Sequence, residues 1–405
     1  MQFIRKFDFG RLLAVILLFT AWGCLRSEQP KISLRPKAIG EDVKIQVNVL
    51  PGQPLIERRR RQQIVNFDLL VTNTDTIPYK LVCIRLKLFD RDGRLELERE
   101  LNENGKPPAL NSIGQRLLKP GGVIDVYQPF YSFSPEVQVH KMHFELLFMK
   151  EGHSTPPVAI SADAMATADA LPEVYSPAPY CLPLHGLSLV HDGHDFNSHH
   201  RRFNLVERFK SNSTLAVSAN LYAYDFMRTT KQGALFVRDP HQKENWLTYG
   251  EPIFAPASGV VVQAVNDIVE NTFDHRGEAQ TPPGAESKDP KGFGNYVSIL
   301  HRDGRVSWLL HMQPGSVTVK SGARVVTGQF LGKVGFSGDS LFPHLHYNVT
   351  NGTAYPSQGV PSYFRNFKWL LGSRALKMPV GQVDTGDLIE SEQKWCKLDV
   401  LLPGA

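Results

Sequence analysis

The sequence predicts an all-β protein, with an N-terminal antiparallel β-sandwich-like domain followed by a second β-sheet domain. Two observations carry that expectation. Short runs alternating apolar and polar residues, the period of a half-buried strand, recur from Val43 and are punctuated by turn signals such as Asp92-Gly93. A second series of strand-like runs, broken by glycines, extends from Gly250 to Val349. A length of 405 residues suits two or three domains. With 42% hydrophobic and 21% charged residues the chain is globular in composition, and a net charge of +5 gives no argument for a nucleic-acid partner.

At the start, Arg5, Lys6 and Arg11 precede an apolar run from Leu12 to Trp22. A basic stretch followed by a run too short to span a bilayer reads as an export segment over residues 1–24. The mature protein is therefore expected outside the cytoplasm, periplasmic or associated with the cell envelope. Gly23-Cys24 resembles a bacterial lipoprotein cleavage site, so a lipid tether at Cys24 and plain cleavage or an uncleaved anchor both stay open. The cysteines Cys24, Cys83, Cys181 and Cys396 include no CxxC pair, which excludes a thiolate zinc finger. With Cys24 removed or lipidated, at most one disulfide can form.

Residues 31–150 read as the β-rich accessory domain, with period-two runs at Val43–Val49, Phe67–Asn73 and Cys83–Phe89, then Val123–Tyr127 and His143–Phe148. The basic run Arg58–Arg61 reads as a solvated hairpin tip, or as a contact for anionic envelope polymer. Nothing here supplies a nucleophile, an acid/base pair or a metal cluster. Residues 151–180, rich in Ala, Pro and Ser, read as a linker. Chemistry is expected further on, because none of the 14 histidines precedes His140 and none follows His346.

In the second domain, Pro343-His344-Leu345-His346-Tyr347 places two histidines two residues apart in a strand-like run. Strand side chains alternate faces, so His344 and His346 project from one face, within reach of one ion or one water. The segment Gly294–Gly304 reads as a hairpin arm with a tight turn, and Trp308-Leu-Leu-His311 brings another histidine into an apolar strand.

The blocks GEPIFAPASGVV, GNYVSILHRDG, WLLHM, VKSGARVVTGQFLGKVGFSG and PHLHY, in that order, closely resemble the lysostaphin-like (LytM-type) zinc metallopeptidases. Most of that family cut peptide cross-links in bacterial peptidoglycan. The resemblance covers Gly250–Val349 nearly continuously and reaches back less securely to His185. It implies a LytM-type, barrel-sandwich-like sheet domain over residues 181–371 and a bound Zn2+. It further implies that His346 is a zinc ligand, that His344 is a general base or proton relay, and that His311 orients water or stabilises a developing oxyanion. Those residue types suit the chemistry. Neutral imidazole and carboxylate bind zinc with a position left for water, and the metal lowers the pKa of that water.

The family usually shows His-x-Gly-x-Asp shortly before the GxPxxAPxxG block. His191-Asp192-Gly193-His194-Asp195 fits the string, but lies far upstream of Gly250. A second candidate, His199-His200-Arg201-Arg202 followed by Tyr222-Ala-Tyr-Asp225-Phe226, resembles a divergent branch of the same family. Asp225 lies in an apolar run, where a carboxylate is costly unless paired or bound to metal. Asp195 lies in a polar stretch that water can satisfy. The pair His200 and Asp225 is therefore preferred, with His191 and Asp195 as the alternative and His199 able to replace His200. His194, His241, His275 and His301 are expected at the surface or behind the ligands. Residues 271–291 read as an inserted loop, either a wall of a substrate groove or a surface insertion. Residues 372–405 form a tail with no informative pattern.

The leading expectation is an exported zinc metalloendopeptidase acting on envelope peptide cross-links. The alternative is a non-catalytic LytM-type regulator that activates another hydrolase. That would show as a missing His344, His346 or Asp225, and all three are present. A biotinyl- or lipoyl-type carrier would need a modifiable lysine at a hairpin tip flanked by Met or small residues, and none is found.

Overall fold

A computed structural model describes residues 44–59, 61–103, 110, 113–153, 162–176, 178–202, 218–289, 291–392 and 394. The export segment with Cys24, residues 154–161 of the predicted linker and the end of the tail with Cys396 lie outside these residues. The described chain is nearly all β, as the alternating runs predict.

In the first domain the strand Tyr79–Phe89 pairs antiparallel with Lys141–Lys150 on one side and Leu95–Asn102 on the other. The strand Asp68–Asn73 runs between Ile45–Leu50 and Val123–Tyr127. Met142, Phe144 and Leu146 alternate with more exposed neighbours along their strand and meet Phe67, Val71 and Leu86 in one apolar core. Two parts of the predicted linker are strands instead. Ala164–Ala170 pairs with Lys141–Lys150, and Glu173–Tyr175 pairs parallel with Leu55–Arg58. Alanine is the reason the first was hidden: Ala164, Ala166 and Ala170 are the buried positions, and their small side chains give a weak period. The basic run is not a solvated tip throughout, since Arg59 makes a bidentate pair with Asp384 at 2.6 and 2.9 Å.

The second domain is built on an eleven-stranded sheet. Its middle strands lie in the order Gly259–Val265, Asn295–His301, Val306–Met312, Leu345–Thr350, Tyr224–Arg228 and Gly186–Asp192. Asn295–His301 and Val306–Met312 form the expected hairpin, with Gly304 at φ +79° in its turn. Leu345, Tyr347 and Val349 point into a core shared with Val297, Leu309 and Phe364, which leaves His346 and Asn348 on the other face. The predicted tail is also structured: Leu388–Ser391 pairs with Gly186–Asp192, and Phe364–Leu371 with Arg374–Gly381, the strand at the end of the sheet.

Cys181 is disulfide-bonded and Cys83 is a buried free thiol. Among the described residues no helix is long and apolar enough to cross a membrane.

Candidate active site

Sheet register assembles the site. Asp225 lies directly opposite His346 on the neighbouring antiparallel strand, and His346 in turn lies opposite Leu310, one residue before His311. Directly opposed side chains on one sheet face are nearest neighbours, so Asp225 and His346 meet without any loop having to deliver them. Asp225 occupies the strand Tyr224–Arg228; Leu221 and Ala223 precede that strand and do not share its pleat.

His200 arrives differently. The strand Gly186–Asp192 has an irregularity at His191, after which Asp192 stands opposite Asp225. Two carboxylates facing each other are repulsive, and the imidazole of His200 lies between them. Its Nδ1 is 3.1 Å from Asp192 Oδ2 and its Nε2 is 3.3 Å from Asp225 Oδ1. Residues 199–202 are helical, not extended. Asp192 accepts the backbone N–H groups of both His199 and His200 at 3.1 Å, closing the first turn of that segment. His199 is exposed on the rim of the cleft, while His200 is 5% exposed and turned into it.

Asp225 Oδ1 is the hub. It lies 3.3 Å from His200 Nε2, and 3.2 Å from both His344 Nε2 and His346 Nδ1, yet it is buried and makes no hydrogen bond. Burial alone would raise the Asp225 pKa, but His200 and His344 outweigh it and hold the carboxyl well below its usual range. Burial likewise opposes charge on His200 and His344, and the Asp225 carboxylate overcomes it, so both are raised. His346 is lowered to about 4, chiefly by burial. His311 is lowered well below its usual value by burial and by its neighbours His344 and His346.

An ionised, unbonded carboxylate oxygen ringed by imidazole nitrogens fits a cation. His200, Asp225 and His346 offer ligand atoms within 4.8 Å of one another. Donors around a tetrahedral zinc stand about 3.3 Å apart, which follows from bond lengths of about 2.0–2.1 Å. Two imidazoles and one carboxylate also leave a coordination position for water.

His311 and His344 face the same space. His311 Nδ1 donates to the carbonyl of Ser337 at 2.8 Å, and His344 Nδ1 donates to the carbonyl of Phe342 at 2.8 Å. Those bonds set the tautomers, so each neutral ring presents the Nε2 lone pair to the cleft. The rings are 4.9 Å apart. His311 adopts φ +64° at the end of its strand, an unusual backbone state for a non-glycine residue at a functional position. The cleft measures about 660 Å³ and is flanked by Asn220, Phe342 and Tyr355, with Lys291 from the inserted loop. Of the described residues among 271–291, Lys291 at their C-terminal end is the one that reaches the cleft wall.

The alternative pair is not assembled. His191 lies at the cleft edge against Phe342, whereas Asp195 accepts backbone N–H groups from Thr385 and Asn197, away from the hub. His194 and His301 are buried, not superficial: His194 bonds Glu57 at 3.0 Å, and His301 bonds the Ser258 carbonyl and the Ser307 hydroxyl. His241 and His275 are exposed. Sequence reasoning missed Asp192 as the partner of His200. The signal lay in plain view, since a carboxylate eight residues before a histidine can close the turn that carries it.

Residues 246–357 match the family model "Peptidase family M23". The chain carries a peptidase family M23 domain. M23 members are typically zinc metallopeptidases acting on peptidoglycan. His311, His344 and His346 lie inside the matched residues; His200 and Asp225 lie before them. Similar solved structures include the catalytic domain of the antimicrobial peptidase lysostaphin from Staphylococcus simulans. It is 23% identical, covers 35% of this chain and 74% of its own, and has a TM-score of 0.23. The catalytic domain of the prophage-encoded M23 protein EnpA from Enterococcus faecalis is also 23% identical, covering 32% and 85%, with a TM-score of 0.20. Pseudoalterin, an M23 metalloprotease from the deep sea, is 14% identical, covering 50% and 96%, with a TM-score of 0.26. With values this low, the assignment rests on the family model. No curated protein matches the chain.

Proposed function

We propose that the protein is an exported zinc metalloendopeptidase that hydrolyses peptide cross-links in bacterial peptidoglycan. The observation that carries this is the convergence of His200, His344 and His346 on the buried, unbonded Oδ1 of Asp225, with His311 facing the same cleft. His200, Asp225 and His346 would hold the zinc, which when bound activates a water and polarises the scissile carbonyl. His344, with Nδ1 tied to the Phe342 carbonyl, accepts the proton of the attacking water at Nε2 and relays it to the leaving amine. His311, held by the Ser337 carbonyl, presents its Nε2 lone pair to the cleft and orients that water by accepting a hydrogen bond from it. Asp192 accepts the backbone N–H groups of His199 and His200 and so fixes the turn from which the His200 ring reaches Asp225.

Export is supported by the basic residues before the apolar run Leu12–Trp22 and by the disulfide at Cys181, which suits an oxidising compartment. The deciding experiment incubates the purified protein with peptidoglycan, with and without a chelator. About one zinc per chain and chelator-sensitive muropeptide release are expected. Zinc bound without any release would favour a regulator of another hydrolase, and absence of zinc would end the metallopeptidase reading.

A further inference from the structure

The segment that carries His200 leaves the sheet at Asp192, and residues 193–202 make no strand. A ligand on such a stretch needs anchors from elsewhere to stay within coordination distance. Among the described residues, many of those anchors belong to the first domain. Arg201, adjacent to His200, has a side chain only 1% exposed. Its guanidinium reaches Asp68 Oδ1 at 3.1 Å and the Phe67 carbonyl at 3.4 Å, and lies 4.9 Å from the Tyr127 ring centre. Tyr127 also donates its hydroxyl to the Phe196 carbonyl at 2.7 Å. Closer to the start of the segment, His194 Nε2 bonds the fully buried carboxylate of Glu57 at 3.0 Å.

We infer that the first domain is a working part of the metal centre: Asp68 and Glu57 are positioning residues that fix His200 through Arg201 and His194. The inference rests on the reading of His200, Asp225 and His346 as metal ligands.

Zinc affinity of the full chain, measured by competition with a chromogenic chelator, tests it alongside thermal unfolding. Asp68→Asn keeps the shape and removes the charge facing Arg201; zinc is expected to bind about tenfold or more weakly, in the range seen for residues behind metal ligands. Glu57→Gln, a milder change, is expected to weaken zinc severalfold and serves if Asp68→Asn does not fold. Glu145→Gln breaks an ion pair in the outer sheet of the first domain and should lower the melting temperature with zinc affinity unchanged. Wild-type affinity in Asp68→Asn and Glu57→Gln overturns the inference, as does an equal loss in Glu145→Gln. If Asp225→Ala still binds zinc like wild type, the metal-site reading itself fails; if it loses zinc while the positioning variants do not, only the inference fails.

Discussion

At the scale of single residues, Asp225 and Asp195 make contrasting tests. Asp225→Ala removes the atom on which three imidazoles converge, and the protein is expected to lose its zinc, as elemental analysis would show. Asp195→Ala should retain it, because Asp195 is satisfied by backbone donors elsewhere. His344→Ala should keep the metal and lose about 10²–10⁴-fold in peptide hydrolysis, the usual scale for removing an acid/base group. Gly294 offers a subtler case. Its φ is +63°, and a methyl there would lie 2.5 Å from the Ser337 carbonyl carbon and oxygen, the group that orients His311. Gly294→Ala is expected to slow hydrolysis at least tenfold with zinc content unchanged; unchanged turnover would show that Ser337 does not set His311. The pair His344 and His346 was legible because strand alternation is local and needs only two residues. The partnership of His200 with Asp192 was partly hidden because a helical turn, not the expected strand, carries the histidine.

At the scale of elements, the strands that lay hidden were those with small or charged residues. Ala164–Ala170 buries alanines, and Arg374–Gly381 is mostly exposed, so neither shows a strong apolar period. The outer face of the first domain illustrates how charge replaces that period. Glu145 on one strand meets Arg85 at 2.8 Å and Lys87 on the next, with Glu100 on a third strand against Arg85 and His143 and Asp169 beside them. Burial would raise the Glu145 pKa, but Lys87 and Arg85 lower it below its usual value. A carboxyl depressed by folding contributes stability above its unfolded pKa of about 4.3 and loses that contribution as pH falls through the folded value. Denaturant midpoints measured from pH 6 to pH 3 should fall less steeply for Glu145→Gln than for wild type. Parallel slopes would remove Glu145 from the acid response.

At the scale of the whole molecule, two apolar cores meet across a polar seam formed by Arg201 with Asp68, Arg59 with Asp384, and Glu57 with His194 and Gln382. These partners are far apart in sequence, which is why no motif announced them. None of the five tryptophans falls in residues 31–150, and Trp246, Trp308 and Trp369 lie in the second domain, so fluorescence reports that domain rather than the first while circular dichroism follows both. Wild-type urea transitions by the two probes are expected to coincide. Arg201→Met leaves Asp68 buried without its guanidinium and should cost about 3–5 kcal/mol, separating the two curves. Coincident, unshifted curves would show that the seam does not couple the domains.

The strand Arg374–Gly381 closes one end of the large sheet, and an open sheet end is a template onto which a stray strand can dock. Arg374 and Lys377 place positive charge along this one, and Pro379 has no N–H to offer. The rim of the sheet is thereby made a poor seed for fibril growth, since a strand arriving there meets positive charge and a residue with no N–H to pair.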